Sequence, residues 1–539
     1  MRNSKLIIIG LLSLYLVLEL LNITLPGLYD DEALPACGSV QIIKKLDPVL
    51  MPSVRLFDIH FPLMLGSPYH AALESYILLP FFRLFGMSAF ILRLVPVIMG
   101  AGMLILTYLF MKDFFDRKAG LLAVLLLVIN HIFLLETKMG MDSASILHLA
   151  AMGSLLLLWR WYSGKGEKYL YSGILMLGLG ISIRAWFSWF AAAIFLLSIF
   201  YKGIWKKMKK HILRHIMLGG IIFCAGIFLF IFYNFMSDFG TIRYIAEHFF
   251  ATSDMKIDNS AYFSNLLSRL GHLGMWLDGK RSLIEQGGWY NRTPMKDIAV
   301  NPISRGLFLF SFIYLWCIVF FKKSLYPVKR VLFVLSLFTL IMLFSPLTLS
   351  SLGGPHLFML HPIVKIITAV AFIDIFVRFK AKKAILYAAY AVFSIFIFKE
   401  CAVTLDNGYL YFNRTGGTGN NSDAIYTVSR YLKDKDIARP VIMDWGIYHN
   451  LIFLSGGDIR PRTFNYIQGG FDRKGFADEL AVSLEKPGMY IFHSREFSNR
   501  RDVYDIFTRM CSRRGKNIDK ENIFYQRDGK PVFIVYSVK

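Results

Sequence analysis

Cysteine is scarce in this sequence. The five cysteines, at positions 37, 224, 317, 401 and 511, have neither a metal-ligand spacing nor the even number of a disulfide framework. A zinc-finger module and a disulfide-stapled fold are therefore excluded. A pair among Cys37, Cys401 and Cys511 is able to oxidise if that face is extracytoplasmic, but isolated thiols fit the spacing better.

Acidic residues are also few. The 37 Asp and Glu face 60 Lys and Arg, which leaves a net charge of +23. The basic residues stand in short runs between apolar segments rather than on one soluble face, so the positive-inside rule explains them better than nucleic-acid binding. Because 55% of the residues are hydrophobic, the expected solvent for most of the chain is lipid.

The N-terminal apolar segment lacks the small-x-small cleavage site of a signal peptide before Pro26, which predicts an uncleaved first helix. Eleven apolar stretches are long enough to cross a bilayer. They lie near residues 6–23, 90–111, 119–135, 143–161, 169–184, 185–201, 212–235, 304–321, 331–349, 357–377 and 384–400. With a cytoplasmic N-terminus, each even-numbered connection carries a basic cluster, as the positive-inside rule requires. The sequence therefore predicts a polytopic α-helical membrane protein with about eleven transmembrane helices.

Three extracytoplasmic segments are long enough to carry function: residues 24–89, 236–303 and 401–539. The first has the mixture of apolar and charged residues that suits interfacial helices. The last contains buried-strand patterns at 440–445, 488–493 and 531–536 between helical stretches near 422–434, 475–485 and 499–512, after a Gly- and Asn-rich linker at 407–421. We expect a membrane domain at 1–400 and an extracytoplasmic α/β domain at 401–539.

Carboxylates stand at the outer ends of two predicted spans. Asp30, Asp31 and Glu32 follow the first span, where burial would raise their proton affinity and poise a base; the alternative is a solvated acidic turn. Asp142 follows the third span, which emerges on the same face, so Asp142 and Asp31 are able to share one cavity. Asp142 is also a reasonable helix N-cap, and the two roles are compatible.

Basic residues lie near the same boundary. Arg184 is flanked by apolar and aromatic residues, and a charge within the membrane costs about 2.5–3.5 kcal/mol, which marks a functional candidate. The alternative is an arginine that snorkels to the interface. His356 is placed to contact a phosphate, or the Gly-Gly-Pro turn before it is only a tight connection. Four other histidines, His60, His70, His248 and His272, are on the same face but show no ligand spacing, so they give a metal site only weak support.

Several of these segments together resemble a known superfamily. They are the acidic residues 30–33, the segments 67–80 and 85–94, Asp142 at a helix start, the Pro-His-Leu-Phe-Met-Leu-His-Pro run at 355–362, and residues 444–457 of the tail. In this order and placement the chain resembles the GT-C membrane glycosyltransferases that use polyprenyl-phosphate sugars. Bacterial relatives of protein O-mannosyltransferases and lipid A aminoarabinose transferases belong to that superfamily. The likeness covers roughly residues 6–400 and, more loosely, the tail.

The resemblance implies a GT-C fold and an inverting displacement on the outer side of the bacterial inner membrane, with the tail in the periplasm. The donor would be a polyprenyl-phosphate-linked sugar, and the acceptor a protein, lipid A or a polysaccharide. No cofactor is certain, and a divalent metal is left open. Asp31 would be the general base, with Glu32 and Asp142 beside it as catalytic residues, and Arg184, Lys138 and His356 would bind the donor phosphate. Asp30, Tyr69 and His70 would shape the acceptor site.

Two other classes compete with an enzyme. A transporter or lipid flippase also places charge in a membrane, but such proteins generally contain repeats and helices broken at the midplane, and the sequence shows no internal repeat. A non-catalytic subunit or sensor would bind a partner through the tail, but it would not need Asp31, Asp142 and Arg184 to converge.

Overall fold

A computed structural model describes residues 2–48, 51–140, 143–249, 257–279, 299–349, 352, 354–464, 473–498 and 500–539. The chain is mostly helical, because a backbone in lipid must satisfy its hydrogen bonds within each segment. The first elements are α1 (Arg2–Leu20), α2 (Asp30–Lys44), β1 (Ser53–Leu56), β2 (Ile59–Pro62), α3 (Leu73–Phe85) and α4 (Ala89–Phe114).

The middle of the chain is a succession of helices. They are α5 (Arg117–Val128), α6 (His131–Met139), α7 (Ala144–Tyr162), α8 (Lys168–Ile183), α9 (Phe187–Phe200), α10 (Lys202–Met208), α11 (Ile212–Gly226), α12 (Phe228–Met236), α13 (Gly240–Phe249), α14 (Tyr262–Leu277), α15 (Pro302–Phe320), α16 (Val328–Phe344), α17 (His361–Arg378) and α18 (Lys383–Leu405). A 3₁₀ helix at Gly354–Leu360 leads directly into α17.

The helix bundle is that of a multi-pass membrane protein. Among the described residues, five helices are long and apolar enough to cross a membrane, or up to seven if each of two bent pairs is one span. Each predicted span coincides with one helix or one bent pair, although α8 and α9 are shorter than a full span and α1 and α16 are not among the helices just counted. The count of eleven spans stays a prediction.

The bent pairs were not foreseen. The predicted third span consists of α5 and α6, with a bend of 71° between the two helices. The predicted seventh span consists of α11 and α12, with a bend of 72°. At the first bend, the Asn130 side chain accepts a hydrogen bond from the Phe133 backbone N–H at 3.0 Å and so begins a new helix. Hydropathy does not register such a break because both halves are apolar.

The tail contains α19 (Tyr411–Thr415), α20 (Ala424–Asp434), β3 (Val441–Ile442), α21 (Tyr448–Leu454), α22 (Arg473–Ser483), β4 (Gly488–His493), α23 (Arg501–Arg513), β5 (Ile518–Tyr525) and β6 (Pro531–Val538). Its sheet has the order β3-β4-β6-β5, with β3 parallel to β4 and the other pairs antiparallel. Three of the four strands were predicted; β5 was missed because its outward side chains are charged.

The segment predicted as a linker is packed against the rest of the molecule. Residues 406–415 are helical, and Asn420 and Asn421 are buried. Gly27, just before α2, lies so close to the tail that a Cβ there would meet the Ser422 backbone at 2.2 Å. The tail is therefore held against residues 24–89, which are called the first outer segment below after their predicted side of the membrane.

Two hydrophobic clusters explain the arrangement. One fills the helix bundle between α1 and α18. The other joins α2, α3 and the start of α4 to α20, α21 and β6 of the tail, with Val40, Phe82, Val428, Leu451 and Val532 among its buried members. The first outer segment and the tail thus share one core.

Candidate active site

The first turn of α2 carries the three consecutive carboxylates. Their negative charge is favourable at a helix N-terminus, which explains why the helix begins at Asp30. Asp30 and Glu32 are buried at 4% and 3% exposure, whereas Asp31 is half-buried. The three carboxylates therefore have different surroundings.

Glu32 is paired with Arg93 of α4. Arg93 donates from Nε to Glu32 Oε1 at 2.6 Å and from a terminal nitrogen to Oε2 at 2.9 Å. The same guanidinium donates to the carbonyls of Ile23, Pro26 and Gly27, which form the approach to α2. Burial raises the pKa of the Glu32 carboxyl, and the charge of Arg93 opposes that rise. This pair positions the carboxylate turn against the membrane helices.

Asp30 is held by the tail. The His449 backbone N–H donates to Asp30 Oδ1 at 2.9 Å, and His449 Nδ1 lies 2.7 Å from Oδ2. Cys37 and Asn450 add hydrogen bonds across the same contact, to the carbonyls of His449 and Leu28. Burial lowers the pKa of His449, but Asp30 outweighs it and the pKa is raised overall. Asp31 thus lies between two anchored neighbours.

Helix α3 connects this turn to the start of α7. Ser39 of α2 donates to the Ser75 carbonyl at 2.6 Å, and Ser75 donates back to the Pro35 carbonyl at 2.7 Å. Glu74, the neighbour of Ser75, is buried and accepts a hydrogen bond from Ser143. Asp142 itself lies outside the described residues, but Glu74 brings α3 to the position next to it. Sequence reasoning missed Glu74, although it is a carboxylate within the 67–80 segment.

Arg184 ends α8 and lies in a cluster of aromatic and histidine rings. Its guanidinium donates to His70 Nδ1 at 2.8 Å and lies 5.3 Å from the Trp186 ring, which is itself 4.1 Å from the His356 ring. Burial, then Arg184 and His356, keep the pKa of His70 well below its usual value. The His70 imidazole is therefore neutral and able to accept the hydrogen bond. The structure brings Arg184, His70 and His356 together.

Arg269 of α14 completes this cluster and was missed in the sequence. Its guanidinium is fully buried, donates to the Ser345 carbonyl at 3.0 Å and approaches His356 Nδ1 at 3.5 Å. It also lies over the Trp189 ring at 5.3 Å. The sequence did contain a pattern that could have identified Arg269. It lies on the buried face of α14, together with Asn265, Leu273 and Trp276. An arginine on a buried face marks a candidate functional site. Arg184, His70, Trp186, His356 and Arg269 are called the basic cluster below.

Tyr69 lies at the edge of the basic cluster. Its ring is 4.5 Å from His70 and 5.4 Å from Tyr244 of α13. Thr241 of α13 donates to the Pro68 carbonyl at 2.8 Å. Helix α13, which belongs to the predicted connection 236–303, therefore contacts the first outer segment here. Of the two residues predicted to shape the site, His70 contacts Arg184 directly and Tyr69 packs on His70.

Lys138 has different neighbours. It is buried in α6, donates to the Leu21 carbonyl at 3.2 Å and lies 5.1 Å from the Tyr409 ring. Glu19, which accepts from Thr137, is its nearby carboxylate. These contacts join α1, α6 and the start of the tail, and none of them is with the basic cluster. A role for Lys138 at the donor phosphate stays a prediction.

Comparison with known proteins gives a partial match to one family and shows the fold. Residues 69–230 match the model of the dolichyl-phosphate-mannose-protein mannosyltransferase family. The structure of ArnT from Cupriavidus metallidurans in the apo state superposes over 98% of this chain and 97% of that chain, with a TM-score of 0.58 and 12% identity. This chain has the GT-C fold.

Solved structures of two oligosaccharyltransferase complexes have a similar fold. The oligosaccharyltransferase of Archaeoglobus fulgidus in complex with Zn and sulfate covers 90% of this chain and 67% of its own length, with a TM-score of 0.56 and 12% identity. The same organism's AglB in complex with an inhibitory peptide and a dolichol-phosphate has a TM-score of 0.55 and 11% identity, over 90% of this chain and 69% of that chain. A search of curated proteins finds no match. The predicted resemblance to GT-C membrane glycosyltransferases is confirmed.

Proposed function

We propose that this protein transfers a sugar from a polyprenyl-phosphate donor to a hydroxyl-bearing envelope acceptor on the outer face of the membrane. The family match and the GT-C fold support transfer from a lipid-linked donor in general. A bacterial inner membrane, a cytoplasmic N-terminus and a periplasmic tail belong to the same proposal, as do a membrane domain at 1–400 and an α/β domain at 401–539. The acceptor class spans protein, lipid A and polysaccharide.

The basic cluster is the observation that carries this proposal. Two buried guanidinium groups lie close to the same His356: Arg184 through the Trp186 ring between them, and Arg269 by a direct approach of 3.5 Å. Arginine is the residue best suited to bind phosphate oxygens, and buried donors are strongest where negative charge develops in a low-dielectric site. We assign the donor phosphate to Arg184, Arg269 and His356 of this cluster, and we assign the shaping of the acceptor site to His70 within it and Tyr69 at its edge.

Asp31 is the proposed general base. Its neighbours Asp30 and Glu32 are fixed by His449 and Arg93, so the turn presents Asp31 in one position. The acceptor oxygen attacks the anomeric carbon, its proton passes to Asp31, and the bond from that carbon to the phosphate oxygen breaks with its electron pair leaving on the phosphate. The configuration at the anomeric carbon of the sugar is therefore inverted. Asp142 is proposed to orient the acceptor, and Glu74 to position the start of α7.

The test is turnover by the purified full-length protein in lipid, with a panel of radiolabelled undecaprenyl-phosphate sugars and an envelope extract as acceptor. A positioned base contributes about 10²–10⁴-fold, so Asp31→Asn should lose at least 100-fold in rate while the protein stays folded. The matched control is Asp58→Asn, which alters an exposed acid of the same outer segment that pairs with the exposed Arg55.

The basic cluster is tested in the same assay. Arg184→Ala and Arg269→Ala should each weaken turnover by at least tenfold, whereas Arg243→Ala, at an exposed arginine paired with Asp238, should not. Normal turnover in Asp31→Asn would sink its assignment as base. Lipid movement across the bilayer without cleavage of the sugar–phosphate bond would favour the flippase alternative instead.

A further inference from the structure

A second group of polar side chains is buried inside the helix bundle, apart from the residues assigned to sugar transfer. Glu136 of α6, His148 of α7 and His361 of α17 are exposed by 0%, 0% and 2%. One ligand atom from each lies within 4.8 Å of the other two. Glu136 and His148 are close in sequence, but His361 follows more than 200 residues later, so the sequence contains no spacing that predicts this group.

The hydrogen bonds of Asn130 determine which nitrogen of His361 carries its proton. The Asn130 Oδ1 accepts from the Phe133 backbone N–H, and the Asn130 amide nitrogen donates to Glu400, so the amide can have only one orientation. His361 Nε2 lies 3.0 Å from that same Oδ1. Only a protonated nitrogen makes a hydrogen bond to a carbonyl oxygen, so His361 Nε2 is N–H and its Nδ1 presents a lone pair.

That lone pair points at a carboxylate. His361 Nδ1 and Glu136 Oε2 are 2.7 Å apart. Two lone pairs at this distance repel each other in a low-dielectric interior unless a proton or a metal ion lies between them. The pair therefore requires a shared positive charge.

The surroundings of His148 distinguish a shared proton from a metal ion. Its Nε2 lies 2.6 Å from the Phe358 carbonyl and so also carries the proton, which leaves a lone pair on Nδ1. Among the described residues, that Nδ1 has no hydrogen-bond partner although it is buried. A proton shared by Glu136 and His361 would leave this nitrogen unsatisfied, at a cost of about 1–3 kcal/mol, whereas a metal ion satisfies all three groups.

We propose that Glu136, His148 and His361 bind a divalent transition-metal ion of the zinc type and thereby join α6, α7 and α17. Two imidazoles and one carboxylate form a donor set that zinc accepts. Each histidine donates its other N–H to an oxygen acceptor, as metal-bound histidines generally do. Trp276 holds the remaining carboxylate oxygen by donating to Glu136 Oε1 at 3.1 Å. Binding needs a small adjustment, since ligand atoms about 2.0–2.1 Å from zinc lie farther apart than the Glu136–His361 pair does here.

Lys365 lies one turn after His361, and its positive charge would repel a metal ion bound there. It is attracted by Glu400 and Glu136. Glu400 is buried and also accepts hydrogen bonds from Asn301 at 2.6 Å and Ser304 at 2.9 Å, so it stays oriented toward this network. Its negative charge offsets Lys365 and leaves the three ligands able to receive an ion.

The experiment measures metal and not sugar transfer, so its result is separate from that of the proposed function. Full-length protein is purified in lipid without a polyhistidine tag, stripped with a chelator and titrated with ZnCl₂, and bound metal is measured by mass spectrometry. Wild type should bind about one equivalent more than His148→Ala, which should lose at least tenfold in affinity. The control is His215→Ala, at a buried histidine of α11 that lies 3.0 Å from the Tyr171 hydroxyl.

Two further readouts guard against a misfolded variant. Cobalt(II) added to the stripped wild type should give the visible absorption of a four-coordinate nitrogen and oxygen site. Zinc should raise the unfolding temperature of wild type and His215→Ala, but not of Glu136→Gln or His148→Ala. Equal zinc binding by wild type and His148→Ala would overturn the proposal and indicate metal held elsewhere. No binding by wild type would equally overturn it, leaving a network that holds a proton.

Discussion

The residues of the first turn of α2 show how three adjacent carboxylates acquire different roles. Glu32 faces the membrane helices and pairs with Arg93, Asp30 faces the tail and pairs with His449, and Asp31 is half-buried between them. In a helix, successive side chains point about 100° apart, so three consecutive residues necessarily meet three environments. The chemistry proposed for Asp31 depends on this separation.

Replacing Glu32 should lower the stability of the folded protein and not only the rate of sugar transfer. Glu32→Gln leaves the buried Arg93 charge without its carboxylate, and breaking a buried pair in this way costs about 3–5 kcal/mol. Thermal unfolding in lipid should show a lower unfolding temperature for Glu32→Gln than for Asp31→Asn or the exposed control Asp58→Asn. If Glu32→Gln unfolded like wild type, the structural role of the pair would be disproved.

At the scale of elements, the contact between α2 and α21 links the proposed base to the tail. His449 of α21 bonds to Asp30 through both its backbone and its ring, and Cys37 of α2 donates to the His449 carbonyl at 3.3 Å. Asp30 and Asp31 raise the pKa of His449, while burial and Asp30 raise the pKa of the Cys37 thiol. The tail therefore contributes to the geometry of the carboxylate turn.

This contact should depend on pH. Because the folded-state pKa of His449 is raised above the ordinary histidine value of 6.5, its stabilising effect is fully present below that value and is lost as the pH rises through the raised pKa. The unfolding temperature of wild type should therefore exceed that of His449→Gln most below pH 6.5, with the difference shrinking at higher pH.

The control for this pH profile is His248→Gln. His248 lies on α13, where its ring stacks on Tyr244 at 3.9 Å and has no contact with α2 or the tail in the described structure. Its profile should run parallel to that of wild type. A difference between wild type and His449→Gln that stays constant, or grows as the pH rises, would refute the proposed charge on His449.

On the scale of the whole molecule, the tail and the first outer segment share a hydrophobic core. Val428, Leu432 and Leu451 of the tail pack in the same cluster as Val40 and Phe82 of the outer segment. A second cluster, with Phe476, Tyr490 and Phe507, belongs to the tail alone. The α/β layer thus has a core of its own but also covers the outer segment.

We expect residues 401–539, produced without the rest of the chain, to expose the shared apolar face. Each Val, Leu or Ile side chain left in water forfeits about 1.5–3 kcal/mol of burial, so the fragment should bind a hydrophobic dye and melt without a cooperative transition. Circular dichroism and dye fluorescence measure this. A sharp melting transition without dye binding would show instead that the tail folds independently.

Much of the membrane region was predictable from local pattern. Long apolar runs, basic connections and alternating strand segments depend on neighbouring residues only, and the helices, the outer segments and strands β3, β4 and β6 follow them. The grouping of Arg184 with His70 and Tyr69 does not follow from local pattern, because residues 69 and 70 lie in the middle of a long predicted connection.

What the sequence by itself determined is a helical membrane protein with GT-C resemblance, because hydropathy and motif order act over short stretches. Only the tertiary structure decided which groups meet: Arg269 with His356, His449 with Asp30, and Glu136 with His361, 225 residues apart. Such contacts depend on how helices pack and bend, as at Asn130 between α5 and α6. No periodicity within one helix specifies the residues that a distant helix brings to it.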